Sequence, residues 1–271
     1  MSQNRMTEPE QWILGTSISA GSDLEMERIK EAGLDGIELT WHRMDLFDPE
    51  IKKLCGSKVE KAYKAGLQLW SVHIPYGVAW DPSSLDPDVR KPVVEKAGKV
   101  LRFAKEWGAR RAVFHPSYEP IAPEERSARL NACKESLRQL AEISAEAGVT
   151  LAVECLPRTC LGNCADEIEF LVGDLPEIGI CCDVNHLFKE SPEQFIERLG
   201  SRIVTTHISD NDGIDEKHWY PGDGVIQWKS VLGALVQAGY AGAFMYEVRN
   251  PDPRVLAENW NTLHSLYREG E

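Results

Sequence analysis

Short apolar runs recur along the chain, and most of them follow a helix-like stretch that ends in glycine. Examples are AGLDGIEL up to Glu38, AGLQLWSVH up to His73 and WGARRAVFH up to His115. A glycine just past a helix adopts the left-handed cap conformation without a steric penalty. The apolar run that follows is typical of a strand buried on both faces, as in a parallel sheet. The pattern therefore predicts alternating helices and strands, with a polar residue near the end of most strands.

Eight strands and eight helices are predicted in alternation. The strands are predicted at 12–18, 36–41, 67–74, 110–116, 150–156, 178–184, 203–209 and 242–248. The helices are predicted at 22–32, 48–65, 89–107, 123–147, 164–173, 192–199, 227–238 and 253–268. Right-handed crossovers between neighbouring parallel strands close such a chain into a barrel. The fold prediction is an α/β chain that forms a single (β/α)8 TIM barrel over residues 1–271, with residues 1–11 as a flexible N-terminal tail.

An open, doubly wound sheet is the main alternative fold. Its usual marker is a glycine-rich phosphate loop after the first strand, and the segment GTSISAG at 15–21 is not G-x-G-x-x-G. The long loops follow the third and seventh predicted strands, from Pro75 to Asp88 and from Asp210 to Ile226. Both are placed at the carboxyl ends of strands, where barrels keep their active sites. Within the second loop, Asp210 is the acidic residue expected to touch the site.

Charge and cysteine content narrow the class of protein. The 271 residues include 30 Lys and Arg against 43 Asp and Glu, and the net charge of −13 disfavours nucleic acid, whose binding needs basic side chains. No apolar run approaches the roughly 20 residues that a membrane helix needs. The seven cysteines follow a polar N-terminus without a secretory apolar core, which predicts reduced thiols and a cytoplasmic protein.

Four polar residues end four consecutive predicted strands, namely Glu154, Asp183, His207 and Glu247. For any single one of them, a structural hydrogen-bonding role is the alternative. Three carboxylates at close range would raise one another's pKa unless a cation lies among them. Oxygen ligands with one imidazole suit Mn²⁺, with Zn²⁺, Co²⁺ or Mg²⁺ as alternatives. The four residues therefore predict a site for one divalent metal ion.

The order of short motifs along the chain carries a resemblance to a known family. GIEL, SVHIPY, FHPS and AVECLPRT are followed by CDVNH, THISDNDG, PGDG and YEVR. These pieces resemble the xylose-isomerase-like TIM-barrel family of sugar isomerases and epimerases, which also contains AP endonucleases and dehydratases. The resemblance covers nearly the whole chain. It implies that Glu154, Asp183, His207 and Glu247 hold one divalent metal ion.

The resemblance implies a metal-dependent sugar or polyol isomerase or epimerase. In such an enzyme a proton leaves the carbon next to a carbonyl, and the metal stabilises the enediolate that forms. Glu154 and Glu247 are the expected catalytic pair, which exchanges the proton as acid and base. His186 is expected to contact the substrate, with support of Asp183 as its alternative role.

Four more residues are candidates for the substrate site. His73 and His115 end the third and fourth strands, where they either line the sugar site or bind a second metal, as histidines do in the AP endonuclease branch. Arg158 follows Glu154 in a loop, and it either meets the substrate or forms a salt bridge at the mouth. Glu38 ends the second strand, and the resemblance implies pocket lining or support for it.

Three other functions stay open. A metal-dependent dehydratase of a keto-inositol or sugar acid begins with the same proton abstraction. A phosphodiesterase similar to the AP endonucleases is disfavoured by the acidic chain, and by Asp215 and His218, which are spaced D-x-x-H where that branch carries Asp-x-His. A non-catalytic sugar-binding barrel is the third. The expected partner is a small keto-sugar or polyol, with no nucleic acid and no membrane, and a homo-oligomer is left open.

Overall fold

The computed structural model describes residues 8–41 and 44–269, and within them eight parallel strands form a nearly closed barrel. The barrel strands are, in chain order, β1 Ile13–Ser19, β2 Gly36–Thr40, β3 Gln68–His73, β4 Arg111–Phe114, β5 Thr150–Glu154, β6 Gly179–Asp183, β7 Ile203–His207 and β10 Ala243–Tyr246. Two further strands, β8 Asp210–Asn211 and β9 Glu216–Trp219, form a separate pair between β7 and β10. Hydrogen bonds join the barrel strands in the order β10-β1-β2-β3-β4-β5-β6-β7. A parallel bridge between Ile208 and Tyr246 brings the two ends of this sheet together. The predicted TIM barrel is confirmed.

Within the described residues, one α-helix follows each of the eight barrel strands. The helices are α1 Met26–Glu31, α2 Pro49–Lys64, α3 Pro87–Glu106, α4 Arg126–Ala147, α5 Ala165–Val172, α6 Pro192–Leu199, α7 Trp228–Gln237 and α8 Pro253–Arg268. Short 3-10 helices are Pro9–Gln11, Val78–Trp80, Val184–His186 and Gly200–Arg202. None of the described helices has both the length and the apolar character that a crossing of the membrane would require.

Proline and a polar cap fix where several helices begin. Asp48 precedes Pro49 and accepts a hydrogen bond from the backbone N–H of Glu50 at 2.8 Å. Ser191 forms a capping box with Gln194 at the start of α6. The cap satisfies a backbone donor that the first helical turn leaves without a partner, and proline already has the backbone angle that this turn needs. The predicted starts of these two helices are therefore within one residue of the observed ones.

Apolar side chains fill the interior of the barrel below the strand ends. Trp70, Ala243 and Met245 form one buried cluster there. The indole of Trp70 donates to Thr205 Oγ1 across the barrel at 3.1 Å, and the guanidinium of Arg111 lies 3.6 Å from the ring centroid. A much larger apolar cluster lies between the strands and the surrounding helices. The polar residues at the strand ends thus rest on a packed floor.

The backbone differs from the sequence prediction in the loop after β7 and near the N-terminus. The long loop after β7 contains the antiparallel pair β8 and β9, which the sequence did not predict. The predicted N-terminal tail, residues 1–11, is folded over its last three positions, because Pro9–Gln11 is a 3-10 helix and Glu10 pairs with His264 at 3.1 Å. Residues 1–7 of that tail lie outside the described residues.

Candidate metal centre and substrate cavities

The four predicted metal ligands lie together at the carboxyl end of the barrel. Glu154, Asp183 and His207 are the last residues of β5, β6 and β7, and Glu247 directly follows β10. Asp183 and His207 are also register partners between neighbouring strands. Because alternate side chains of a strand point the same way, residues at equivalent heights on adjacent parallel strands face the axis together.

The imidazole of His207 is the centre of this group. Its Nδ1 lies 3.1 Å from Glu154 Oε1, 3.2 Å from Glu247 Oε2 and 3.9 Å from Asp183 Oδ2. One ligand atom from each of the four residues lies within 4.8 Å of all the others. Ligand atoms placed about 2.1 Å from a shared ion are about 3 to 4 Å apart. The group is therefore compact enough for one metal ion.

Two observations test whether these residues suit a metal ion. Among the described residues no hydrogen bond reaches the buried Oδ2 of Asp183, although Nδ1 of His186, which bonds to the carbonyl of Cys155, lies 3.1 Å away. A buried acceptor without a hydrogen bond costs about 1–3 kcal/mol. Burial, and then the neighbouring carboxylates of Glu247 and Glu154, raise the pKa of Asp183 to about 7. A divalent cation would satisfy this oxygen and stabilise its ionised form. The four residues fit such an ion, and the side chain of Glu247, which is 27% exposed, faces the solvent side.

Glu38 lies beside this group and contacts His207. The residue is fully buried, and its Oε2 accepts a hydrogen bond from Ser71 at 2.7 Å. Its Oε1 lies 3.0 Å from Nε2 of His207, the nitrogen on the far side of the ring from the three carboxylates. Glu38 lines neither cavity of the mouth described below. Of the two roles that the resemblance implied, its position matches support.

His73 and His115 both face Glu154. Their Nε2 atoms lie 3.2 Å and 3.0 Å from Glu154 Oε2. The other nitrogen of His73 donates to the carbonyl of Ile74 at 2.8 Å, so a neutral His73 would present a lone pair to the carboxylate. Either a proton or a metal ion must lie between them, and His73, Glu154 and His207 form a second group that could hold an ion.

A third group that could hold an ion consists of His186, Glu216 and His218. Glu216 Oε2 accepts a hydrogen bond from His186 Nε2 at 2.7 Å and lies 3.8 Å from His218 Nε2. Glu216 is not among the residues predicted from the sequence, where His218 is compared with Asp215 instead. Glu216 and His218 are two residues apart on β9, so they share one face of that strand. The E-x-H spacing of Glu216 and His218 is the sequence feature that could have indicated both as ligands.

Arg158 is held by carboxylates from two other loops. Its guanidinium lies 2.5 Å from Glu119, 2.7 Å from Asp215 and 2.9 Å from Glu216. Its backbone has φ of 51°, in the left-handed region that few side chains adopt. Of the two contacts predicted for Arg158, the structure shows the salt bridge at the mouth.

Asp210 does not take the place that the sequence predicted for it. Its buried carboxylate accepts hydrogen bonds from three donors of its own loop and one from the start of α7. They are the backbone N–H groups of Asn211, Gly222 and Ile226, and the indole N–H of Trp228. A Cβ on Gly224 would lie 2.3 Å from Asp210 Oδ1 and 2.1 Å from the carbonyl of Asn211, so only glycine fits there. Asp210 therefore shapes the loop that carries β9 and lines neither cavity of the mouth.

Two cavities open at the mouth of the barrel beside these residues. The first cavity, of about 140 Å³, is lined mainly by the loops after β4, β5 and β7, and includes His115, Glu154, Arg158, His186 and Glu216. The second cavity, of about 100 Å³, is lined by the ends of β1, β2 and β3, and includes Ser17, Thr40, Trp41 and His73. Tyr76 and Glu247 line both cavities.

A sequence profile for the xylose isomerase-like TIM barrel matches residues 26–267. The chain belongs to this family. The family resemblance inferred from the sequence motifs is thereby confirmed.

Relatives of the chain include proteins with known activities. An uncharacterised protein of Methanocaldococcus jannaschii is 27% identical over 266 residues, which cover 92% of this chain and 89% of that protein. Fructoselysine 3-epimerase of Escherichia coli O157:H7 is 24% identical over 225 residues, covering 78% of this chain and 80% of the enzyme. L-ribulose-5-phosphate 3-epimerase of the same species is 21% identical, covering 82% and 81%.

Solved structures support the same grouping. A D-tagatose 3-epimerase-like protein superposes with a TM-score of 0.81 at 26% identity, over 94% of this chain and 98% of that protein. An L-ribulose 3-epimerase superposes with a TM-score of 0.75 at 22% identity, over 95% of this chain and 94% of that one. Because its identity is low, the second likeness is evidence for the fold alone. The chain is thus similar to sugar epimerases in sequence and in structure.

Proposed function

We propose that the protein is a divalent-metal-dependent isomerase or epimerase of a keto-sugar or polyol. The observation that carries the proposal is the placement of Glu154 and Glu247 next to the same nitrogen, His207 Nδ1, at 3.1 Å and 3.2 Å. Both carboxylates line the first cavity, so both can meet a bound substrate. Sugar epimerases among the relatives support the same reaction class.

Glu154, Asp183, His207 and Glu247 would hold the ion, and their oxygen-rich set favours Mn²⁺, with Zn²⁺, Co²⁺ or Mg²⁺ as alternatives. When bound, the ion would act as a Lewis acid that stabilises negative charge on substrate oxygens. Removal of a proton next to a carbonyl creates such charge. We propose one ion for the reaction, because one group contains both expected catalytic carboxylates.

The chain's own carboxylates would move the proton. Glu247 is partly exposed and lines both cavities, so it can remove a proton from carbon on one face of the substrate. Glu154 is buried and receives contacts from His73 and His115, which can supply or hold a proton at its Oε2. Return of a proton to the opposite face of the carbon would invert the centre. His115 and His186 line the first cavity and would orient substrate hydroxyls.

Solvent exchange tests this proposal directly. Metal-loaded protein is incubated in D₂O with a panel of free ketoses, and deuterium at the carbon next to the carbonyl is measured together with the epimer formed. Glu154→Gln and Glu247→Gln should each lower the exchange rate by about 100-fold or more, as loss of an acid or base does. Glu177→Gln, an exposed change outside the mouth, is the matched control. Absence of exchange with every ketose would reject the proposal, and a product lighter by one water would identify a dehydratase.

Metal-dependent phosphodiester hydrolysis is the second candidate function. It is favoured by two additional groups of residues that could each hold a metal ion. One consists of His73, Glu154 and His207, and the other of His186, Glu216 and His218. The strongly acidic chain opposes binding to DNA. Metal analysis separates the two functions, because about one bound ion per chain supports the epimerase and three would support the phosphodiesterase. A cytoplasmic location and a homo-oligomer stay predictions.

A further inference from the structure

The ring of Tyr76 lies in the wall of both cavities at the mouth. We propose that Tyr76 is a specificity-determining residue, which divides the substrate site into two parts and restricts it to a free keto-sugar without a second sugar or amino acid attached. This inference rests on the proposed epimerase function and adds the size class of its substrate. Glu247 also lines both cavities, so a substrate that reaches this carboxylate has Tyr76 beside it.

Ring contacts hold Tyr76 in this position. It stacks on His115 with ring centroids 4.3 Å apart and planes 12° apart, and it meets the ring of His73 edge-on at 5.6 Å. Both histidines are themselves fixed by Glu154. The following residue, Gly77, has φ of 122°, so the chain turns immediately after the ring. Although Tyr76 is 39% exposed, its ring contacts with His73 and His115 hold it in the mouth.

The loop that carries Tyr76 is fastened to α4 farther along. Asp81 accepts hydrogen bonds from the backbone N–H and hydroxyl of Ser83 at 2.9 Å and 2.6 Å, and it forms an ion pair with Arg129. Ser136 donates to the carbonyl of Pro82 at 2.8 Å. These contacts are buried or partly buried, which makes the loop costly to displace. The wall that Tyr76 forms is therefore a fixed part of the site.

Each cavity alone suits only part of a ligand. Pockets for drug-sized ligands measure roughly 300–1,000 Å³, whereas the two cavities measure about 140 Å³ and about 100 Å³. The second cavity is lined by Ser17 and Thr40, whose side chains carry hydroxyls, and by Trp41. A single sugar can place one end in each cavity.

Removal of the ring should join the two cavities. A substituent on the far end of the sugar, such as an amine-linked amino acid or a second sugar, would then find room. The wild-type site should discriminate against these larger ketoses. Two relatives act on substituted sugars by their names, fructoselysine and a 3-keto-D-glucoside, so both size classes occur among similar proteins.

The test compares the ratio of kcat/KM for a free ketohexose and for the same ketose linked to an amino acid, using deuterium exchange with metal-loaded protein. Wild type should favour the free sugar, and Tyr76→Ala should shift the ratio by about tenfold or more towards the larger one. Tyr76→Phe, which keeps the ring, should keep the wild-type ratio. Val78→Ala, in the same loop and outside both linings, is the control.

The outcomes separate this inference from the proposed function. Exchange by wild type with an unchanged ratio in Tyr76→Ala, or equal wild-type rates for both ketoses, overturns the role of Tyr76 and leaves the epimerase standing. Absence of exchange in wild type rejects both. If Tyr76→Ala melts far below wild type, Tyr76→Leu replaces it, because leucine keeps an apolar contact with His115 and still removes the ring.

Discussion

The carboxylate of Glu216 and the imidazole of His186 form a 2.7 Å hydrogen bond across the mouth of the barrel. The other oxygen of Glu216 lies 2.9 Å from Arg158, which also binds Glu119 and Asp215. Glu216 thus bridges Arg158 and His186. We infer that Arg158 is a positioning residue, which orients His186 through Glu216.

Arg158→Met should lower kcat/KM by about tenfold, as loss of an outer partner of a site residue does. The ion pairs of Arg158 are partly exposed, at 38% for the guanidinium side chain, so the melting temperature should change little. Arg138→Met is the matched control, since Arg138 also pairs with two carboxylates but lies on α4 away from the mouth. An equal loss of activity in both variants would contradict a positioning role, whereas partial recovery in Arg158→Lys would support it.

Metal binding should stabilise the folded protein. At an ion concentration of about 100 times Kd the gain is about 2.7 kcal/mol, which raises Tm by roughly 5–10 °C for a chain of this size. Asp183→Asn should abolish this rise, because it removes one anionic ligand from the group around His207. Without metal, the variant should melt at or above the wild-type temperature, since it removes a carboxylate whose burial raises its pKa in spite of the attraction of His186.

Scanning calorimetry with EDTA and with added Mn²⁺ measures both effects. Glu177→Gln serves as the control and should gain the full rise on addition of metal. A rise in Asp183→Asn as large as that of wild type would show that the ion binds elsewhere.

Asp210→Asn should destabilise the protein by about 3 kcal/mol. The buried carboxylate accepts four N–H donors, and an amide would turn its own N–H₂ towards some of them. Urea unfolding measures the free energy, and activity should fall as the loop with β9 loosens. Asp223→Asn, an exposed change in the same loop, is expected to cost less than about 0.5 kcal/mol. An equal loss of unfolding free energy in the two variants would show that the hydrogen bonds to Asp210 do not stabilise the loop.

Gly224→Ala should disturb the same loop by a steric route. The added methyl would lie 2.1 Å from the carbonyl of Asn211 and 2.3 Å from the carboxylate of Asp210, which leave it no room. Overpacking of this kind costs about 1–3 kcal/mol. Gly233→Ala on α7, where the nearest atom lies 4.0 Å from the new Cβ, should stabilise by about 0.5–1 kcal/mol instead. A neutral Gly224→Ala in thermal unfolding would show that the loop can relax.

The barrel and the strand-end residues could be predicted because both depend on local patterns. A helix stop followed by an apolar run marks each strand, and the carboxyl ends of parallel strands share one edge, so Glu154, Asp183 and His207 meet. Their roles as ligands stay predictions.

The position of Glu216 could not be found in the same way. It lies on a two-strand hairpin inside a long loop, and the path of that loop depends on the buried contacts of Asp210. Periodicity carries no information about such contacts, so the sequence pointed to Asp210 itself as a site residue. The hairpin then brings Glu216 to His186, a neighbour that is distant in sequence.

The four hydrogen bonds to Asp210 also determine which positions of this loop can be substituted and which cannot. Three of the four donors lie towards the ends of the loop, at Asn211, Gly222 and Ile226, and the fourth, Trp228, begins α7. Ile214, at the tip of the loop, is 83% exposed. Mutations and insertions at the tip leave the anchor intact, so they carry little risk for folding. Natural variation or directed evolution could therefore exchange the tip, and alter what enters the mouth, on an unchanged barrel.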